Sequence, residues 1–142
     1  MSKPVAGAPW ILIVEDDLDS AEALAFALER VGYRTRAAPS AAEALGLLGE
    51  GPALMLLDLH LSDVGGMDLV AAFEASRPLP PVVVISAAPL DVIRAASEAL
   101  GAVAALRKPF SVQALLDAVR AALDAVAAPA GGAQRARRQA RG

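Results

Sequence analysis

Several polar side chains in this sequence stand at the ends of short apolar runs. The acidic run 15–17 follows ILIV, Asp58 follows LMLL, Ser86 follows VVVI, and Lys108 comes two residues after VAAL. If these runs are parallel strands, their carboxyl ends meet at one edge of a sheet, which is where ligands bind in open α/β folds. That edge would hold several carboxylates, one hydroxyl and one ammonium.

Such a group of side chains has restricted chemistry. Neighbouring carboxylates repel one another and raise each other's pKa. A Mg²⁺ ion relieves that repulsion, and it prefers a few carboxylates together with waters and phosphate oxygens. A lysine can pair with a phosphoryl oxygen, and a carboxylate can itself act as a nucleophile and form an aspartyl phosphate. The pattern therefore suggests phosphoryl transfer to a carboxylate, achieved by positioning and charge neutralisation.

The elements that must position these residues alternate between strand and helix. Apolar or alternating runs predict strands at 11–14, 33–38, 54–57, 82–85 and 103–106. Periodicity and caps predict helices at 18–31, 40–49, 67–75, 90–100 and 111–126. The expected buried face of the first helix comprises Leu18, Ala21, Ala25 and Leu28, and that of the last comprises Val112, Leu115, Leu116, Val119, Leu123 and Val126. Right-handed crossovers between parallel strands make this an α/β protein, a (βα)₅ doubly wound sheet.

Composition limits the protein class. The chain has 142 residues, 56% of them hydrophobic, and no cysteine, so a disulfide scaffold and a thiolate metal site are excluded. The N-terminus does not resemble a secretory signal, and no apolar stretch reaches the roughly 20 residues of a spanning helix. We expect one cytoplasmic domain at 10–127, an N-terminal extension at 1–9, and a disordered Ala/Gly/Arg tail or truncated linker at 128–142. Sixteen acidic residues against nine basic ones before Pro129 argue against nucleic acid as a partner of the folded part.

The segments ILIVEDD, GYRTRAAPSAAEALGLL, LMLLDLHLSDVGGMDL, PPVVVISA and LRKPF occur in this order between Trp10 and Val126. In this order and spacing they resemble the receiver domains of response regulators. The resemblance implies a flavodoxin-like fold, a five-stranded parallel sheet in the order 2-1-3-4-5. It also implies a phosphorelay function, in which a histidine kinase or histidine phosphotransfer protein supplies the phosphoryl group and output passes through protein contacts.

The resemblance assigns roles to individual positions. The phosphoacceptor would be Asp58. The Mg²⁺ ligands would be Asp16, Asp58, the backbone carbonyl of His60 and, through water, Glu15. The residues that contact the phosphoryl group would be Ser86, Ala87 and Lys108. Pro109 would follow a cis bond, and Leu18, Pro109 and Phe110 would form the partner docking surface. The domain would be a monomer or weak dimer and would have no membrane partner. It would catalyse only its own phosphorylation and dephosphorylation.

Three positions depart from the family pattern. Ser62 stands where a proline is usual, Ala104 where an acidic residue is frequent, and Ala105 where an aromatic ring normally reports phosphorylation. The missing ring keeps open a second possibility, a receiver-fold interaction module whose output does not depend on phosphorylation. A phosphohydrolase of the haloacid-dehalogenase type would need an Asp where His60 stands, and a nucleotide binder would need a glycine-rich phosphate loop that the sequence lacks.

Overall fold

A computed structural model describes residues 9–127, so the expected N-terminal extension, except for its last residue, and the expected tail lie outside the described residues. Five strands alternate with five helices along the chain. The strands are β1 (Trp10–Val14), β2 (Arg34–Ala38), β3 (Leu54–Asp58), β4 (Val82–Ser86) and β5 (Ala104–Arg107). The helices are α1 (Leu18–Arg30), α2 (Ala41–Leu48), α3 (Gly66–Glu74), α4 (Leu90–Leu100) and α5 (Val112–Ala127). Each predicted element is present, with bounds that differ by at most one residue.

The five strands form one parallel sheet in the order β2-β1-β3-β4-β5. This confirms the doubly wound α/β architecture and the expected strand order. In the register of the sheet, Val14 lies beside Leu57, and Asp58 lies beside Ile85. The carboxyl ends of β1, β3 and β4 therefore stop almost level with one another, which brings the residues that follow them to a common edge.

Helices cover both faces of the sheet because the side chains of a strand alternate between its two sides. Leu12, Val14, Met55 and Leu57 point toward α2, α3 and α4, and Phe73 is the largest fully buried side chain of that core. The intervening strand residues point toward α1 and α5 on the opposite face. Each helix buries one apolar face, and within residues 9–127 no helix is both long and apolar enough to cross a bilayer.

Side chains and a glycine fix the ends of several helices. Asp17, Ser40 and Ser111 accept hydrogen bonds from backbone N–H groups in the first turns of α1, α2 and α5, which satisfies donors that have no partner within the helix. Gly101 ends α4 in the left-handed conformation, with φ of 67°. A side chain would be strained at that φ, so glycine is favoured there.

The expected buried faces of two helices need correction. Leu18 is 70% exposed, and the face that α1 buries is formed by Ala21, Leu24 and Leu28. Likewise Val112 is 58% exposed at the start of α5. Leu18 and Val112 are the first residues of their helices, where an apolar side chain lies beyond the part of the helix that packs on the sheet. Val126 lies within α5, but its side chain is outside the part of the chain whose side chains the structure describes.

Candidate functional site

Four predicted site residues lie at the carboxyl edge of the sheet. Asp58 and Ser86 are the last residues of β3 and β4, Glu15 directly follows β1, and Lys108 directly follows β5. Glu15, Asp58 and Ser86 are 2%, 3% and 1% exposed, and they are the buried polar residues of the described chain. Burial of ionisable groups is costly unless they are paired. Their position therefore points to a site maintained for chemistry.

Lys108 joins the two buried carboxylates. Its Nζ lies 2.8 Å from Asp58 Oδ2 and 3.0 Å from Glu15 Oε1. The free oxygens of both carboxylates also accept hydrogen bonds from the backbone. His60 N–H donates to Asp58 Oδ1 at 2.9 Å, and Asp17 N–H donates to Glu15 Oε2 at 3.2 Å. The ammonium thus links residues that lie 93 and 50 positions away in the sequence.

The pKa values in this group respond to burial and to pairing. Burial raises the pKa of the Glu15 carboxyl, and the hydrogen bond from Lys108 offsets that only in part. For Lys108, burial alone would lower the pKa of the ammonium. The hydrogen bonds to Asp58 and Glu15 outweigh it, so the pKa lies above its usual 10.5. Lys108 therefore remains charged at neutral pH, and the raised pKa means that ionisation of Glu15 is less favourable here than in water.

An open space lies in front of the Asp58 carboxylate. It has a volume of about 380 Å³ and is lined by Asp58, His60, Ala87, Ala88 and Lys108. Ser86 is next to this space, where its Oγ accepts the Ala88 N–H at 3.0 Å and its carbonyl accepts the Lys108 N–H at 2.8 Å. The space adjoins the carboxylate, the ammonium and the loop after β4, so a small anionic group could enter it.

Asp16 makes a contact that the sequence did not reveal. Its Oδ2 accepts a short hydrogen bond from the hydroxyl of Ser62, in the loop after β3. The next residue, Asp63, accepts hydrogen bonds from the N–H groups of Ala41 and Ala42 at 3.1 and 3.2 Å and so adds a second cap to α2. These hydrogen bonds join residues at least 21 positions apart, and no local motif could have indicated them.

The donor set is compatible with a hard divalent cation. Glu15 and Asp58 are buried with a single ammonium between them, and Asp16, directly after Glu15, adds a third carboxylate. The local charge is therefore negative, which a cation would balance. Within residues 9–127, no group of three or more His, Cys, Asp or Glu side chains is arranged to enclose a metal. A site with few protein ligands suits Mg²⁺, which retains several of its waters.

The expected docking residues lie on the side of the site that faces α1. Leu18 and Pro109 are exposed and Phe110 is half-buried. Pro109 and Phe110 line a largely apolar cavity of about 520 Å³ between α1 and α5, together with residues that include Leu24 and Leu115. The Lys108–Pro109 bond is cis.

Ala104 and Ala105 place only methyl groups on the first half of β5. Ala105 is exposed and Ala104 is half-buried. Beside them, Val103 is 50% exposed. A methyl group at position 105 has no ring to move between an outward and an inward orientation.

Comparison with known proteins places this geometry in a family. The family model of the response regulator receiver domain matches residues 11–120 of this chain. A transcriptional regulatory protein of Haemophilus influenzae, a CpxR homolog, is 31% identical over 119 residues, covering 84% of this chain and 52% of the relative. The chain spans about half the length of the curated relatives that it matches first.

Solved structures agree with this assignment. A CheY-like receiver domain from Methanospirillum hungatei has a TM-score of 0.73 and 30% identity, covering 82% of this chain and 94% of its own. A response regulator protein from Burkholderia pseudomallei, solved with a phosphorylated aspartic acid, a calcium ion and citrate, has a TM-score of 0.68 and 32% identity over 78% of this chain and 66% of its own. This chain belongs to the response regulator receiver family, the signalling domains of two-component systems.

Proposed function

We propose that Asp58 accepts a phosphoryl group in a Mg²⁺-dependent reaction and that this modification is the domain's signal. The observation that carries the proposal is the position of the Asp58 carboxylate, 3% exposed, 2.8 Å from the Lys108 ammonium, and facing an open space. A carboxylate in these surroundings is held in one orientation by groups on both of its oxygens. Such preorganisation is what phosphoryl transfer mainly requires from a protein.

The reaction would be an in-line displacement. One carboxylate oxygen of Asp58 would form a bond to phosphorus as the bond from phosphorus to the donor's imidazole nitrogen breaks, and the electron pair would remain on that nitrogen. Lys108 would turn one or more of its N–H bonds from the two carboxylates to the phosphoryl oxygens. The Ser86 hydroxyl and the Ala87 backbone would bind the other oxygens, since both lie at the start of the loop beside the open space.

The proposed Mg²⁺ ligands are Asp16, Asp58 and the backbone carbonyl of His60, with Glu15 bound through a water. When bound, the ion would neutralise charge on the carboxylates and on the transferred group. Receiver domains bind Mg²⁺ generally, and the Burkholderia structure combines a phosphorylated aspartic acid with a calcium ion. For this chain, support comes from the excess of buried negative charge around one ammonium.

The proposed donor is a histidine kinase or a histidine phosphotransfer protein that docks beside the site. Leu18 is 70% exposed and begins α1, the helix whose residues Ala23 and Leu24 line the apolar cavity between α1 and α5. Pro109 and Phe110 border the same region, so a partner helix placed there would bring its histidine close to Asp58. The cytoplasmic location, the monomeric or weakly dimeric state and the restriction of catalysis to self-phosphorylation and self-dephosphorylation remain parts of this proposal.

Intact mass spectrometry tests the phosphoacceptor. Incubation with Mg²⁺ and a small phosphodonor should add one phosphoryl group to the wild-type protein and none to Asp58→Asn. Asp117→Asn is the matched control, because Asp117 is exposed on α5 and bonds only to Gln113 among the contacts found for it. No mass gain with any donor, or an undiminished gain in Asp58→Asn, would refute the proposal.

The alanine at position 105 bears on how phosphorylation would be transmitted to a partner. Because Ala105 is exposed and carries no ring, phosphorylation would be transmitted by the loop after β4 and by α4, without an aromatic rotamer change. Comparing the protein with and without a phosphoryl mimic tests this, and an unchanged loop and α4 would contradict it. In that event an interaction module with phosphorylation-independent output would be the better description.

A further inference from the structure

The side chain of Ser62 connects the loop after β3 to the loop after β1. Its hydroxyl donates a short hydrogen bond to Oδ2 of Asp16, 46 residues away in the sequence. Ser62 itself is exposed and Asp16 is half-buried. Because the hydroxyl contacts only one carboxylate oxygen in this bond, the other oxygen of Asp16 remains available.

The backbone on both sides of Ser62 is held by contacts of its own. Leu61 is 8% exposed and belongs to the core between the sheet and α2, α3 and α4. On the other side, the Asp63 carboxylate accepts hydrogen bonds from the N–H groups of Ala41 and Ala42. These donors lower the pKa of the Asp63 carboxyl, so it is ionised at neutral pH and the cap is in place. Ser62 is thus presented to Asp16 from an anchored loop.

We propose that Ser62 is a positioning residue for Mg²⁺, orienting the Asp16 carboxylate so that its free oxygen faces the ion. This rests on the proposed function, in which Asp16 is a direct metal ligand. A carboxylate on an exposed loop loses rotational freedom when it binds a metal, and a hydrogen bond to its second oxygen removes part of that loss in advance. Partners that orient metal ligands in this way commonly change metal affinity by about 10- to 100-fold.

The structure indicates the size of the effect at this site. Both side chains are in contact with solvent, so water can replace part of what the Ser62 hydroxyl supplies. We therefore expect the lower end of the range, a rise of about tenfold in the dissociation constant for Mg²⁺ in Ser62→Ala. Ser62→Thr keeps a hydroxyl on the same carbon, and its affinity should stay within about threefold of wild type, well short of that loss.

Isothermal titration calorimetry of the unphosphorylated protein with MgCl₂ is the direct measurement. Tryptophan fluorescence is less suitable, because Trp10 begins β1 and lies at the opposite end of that strand from the site. Ser76→Ala is the matched control. Ser76 lies just after α3, away from the site, and its hydroxyl donates to the carbonyl of Ala72 within that helix. Backbone amide NMR provides a second measurement that needs no metal. The amide resonances of residues 15–17 should shift in Ser62→Ala and not in Ser76→Ala.

The outcomes separate this inference from the function on which it rests. The role of Ser62 would be supported if wild type binds Mg²⁺, Ser62→Ala binds it more weakly, and Ser62→Thr binds it nearly as well as wild type. Equal or tighter binding in Ser62→Ala would overturn the role of Ser62 and leave the proposed metal site intact. If wild-type protein bound no Mg²⁺ at millimolar concentrations, the metal site itself and the role of Ser62 would both be refuted.

Discussion

Replacing Lys108 by methionine tests the electrostatic design of the site. Methionine keeps most of the side-chain volume but removes the ammonium that lies 2.8 Å from Asp58 and 3.0 Å from Glu15. The side chains of Asp58 and Glu15 are only 4% and 2% exposed, so water can replace the ammonium only in part. We expect Lys108→Met to destabilise the domain and to make its stability depend on pH in a characteristic way.

The magnitude follows from burial more than from distance. Removing one partner of a buried ion pair costs about 3 to 5 kcal/mol, because a buried charge is left without compensation. The Lys108 side chain is itself 31% exposed, which places the expected loss near the lower value, about 3 kcal/mol. The bridge between Arg36 and Glu50 is shorter, at 2.6 Å, but both side chains are about half exposed. Glu50→Gln should therefore cost less than about 1 kcal/mol, and it serves as the control.

The pH dependence has a definite sign. Burial already raises the pKa of Glu15 in the folded protein above its ordinary 4.5, and the hydrogen bond from Lys108 is the largest effect that lowers it. Without Lys108 that pKa rises further. A carboxyl whose pKa is higher in the folded state destabilises the protein as pH rises through that pKa. The deficit of Lys108→Met should therefore be largest near pH 7 and shrink toward pH 5, by at most about 1.4 kcal/mol per pH unit for each proton.

Urea denaturation followed by far-ultraviolet circular dichroism, without Mg²⁺, measures both effects. Wild type, Lys108→Met and Glu50→Gln are compared at about pH 7 and about pH 5, above the range in which ordinary surface carboxylates titrate. A deficit in Lys108→Met no larger than that in Glu50→Gln would show that the buried pairing contributes little. A deficit that stayed constant or grew on acidification would contradict the reasoning about Glu15.

Two further predictions concern the scaffold. Gly101→Ala should lower the free energy of unfolding by about 1 kcal/mol, because φ is 67° there and a side chain is strained in that conformation. Gly46→Ala within α2 should raise the free energy of unfolding by up to about 1 kcal/mol, because alanine favours a helix more than glycine does. Nothing lies within 4 Å of either added Cβ, so neither change causes a clash, and urea denaturation that gave both changes the same sign would contradict this. Asp63→Asn should lower the melting temperature at neutral pH, because the N–H groups of Ala41 and Ala42 hold the pKa of that carboxyl below its usual 3.8. The lowered pKa means that the stability contributed by Asp63 is lost as pH falls through the folded pKa, so the difference from wild type should shrink in acid, and a difference that persisted there would count against an electrostatic role for this cap.

The sequence by itself determined the class of fold and the edge at which the site lies. Buried parallel strands are continuous apolar runs, so ILIV, LMLL and VVVI could be recognised without any knowledge of their partners. Polar residues directly after such runs must lie at the carboxyl edge, wherever each strand falls in the sheet. For this reason Asp58 and Lys108 could be assigned to one site, and the family pattern then implied their roles.

Only the tertiary structure decided how those groups are paired. The contacts of Lys108 with Glu15 and Asp58, and of Ser62 with Asp16, depend on the order and level of the strands, which bring distant loops within a few ångströms of each other. The rotation of α1 was also beyond the sequence, since Leu18 and Leu24 are equally apolar and packing against β1 and β3 selects Leu24 for the core. Local patterns record what a residue prefers, whereas pairing depends on which surfaces meet when the whole chain has folded.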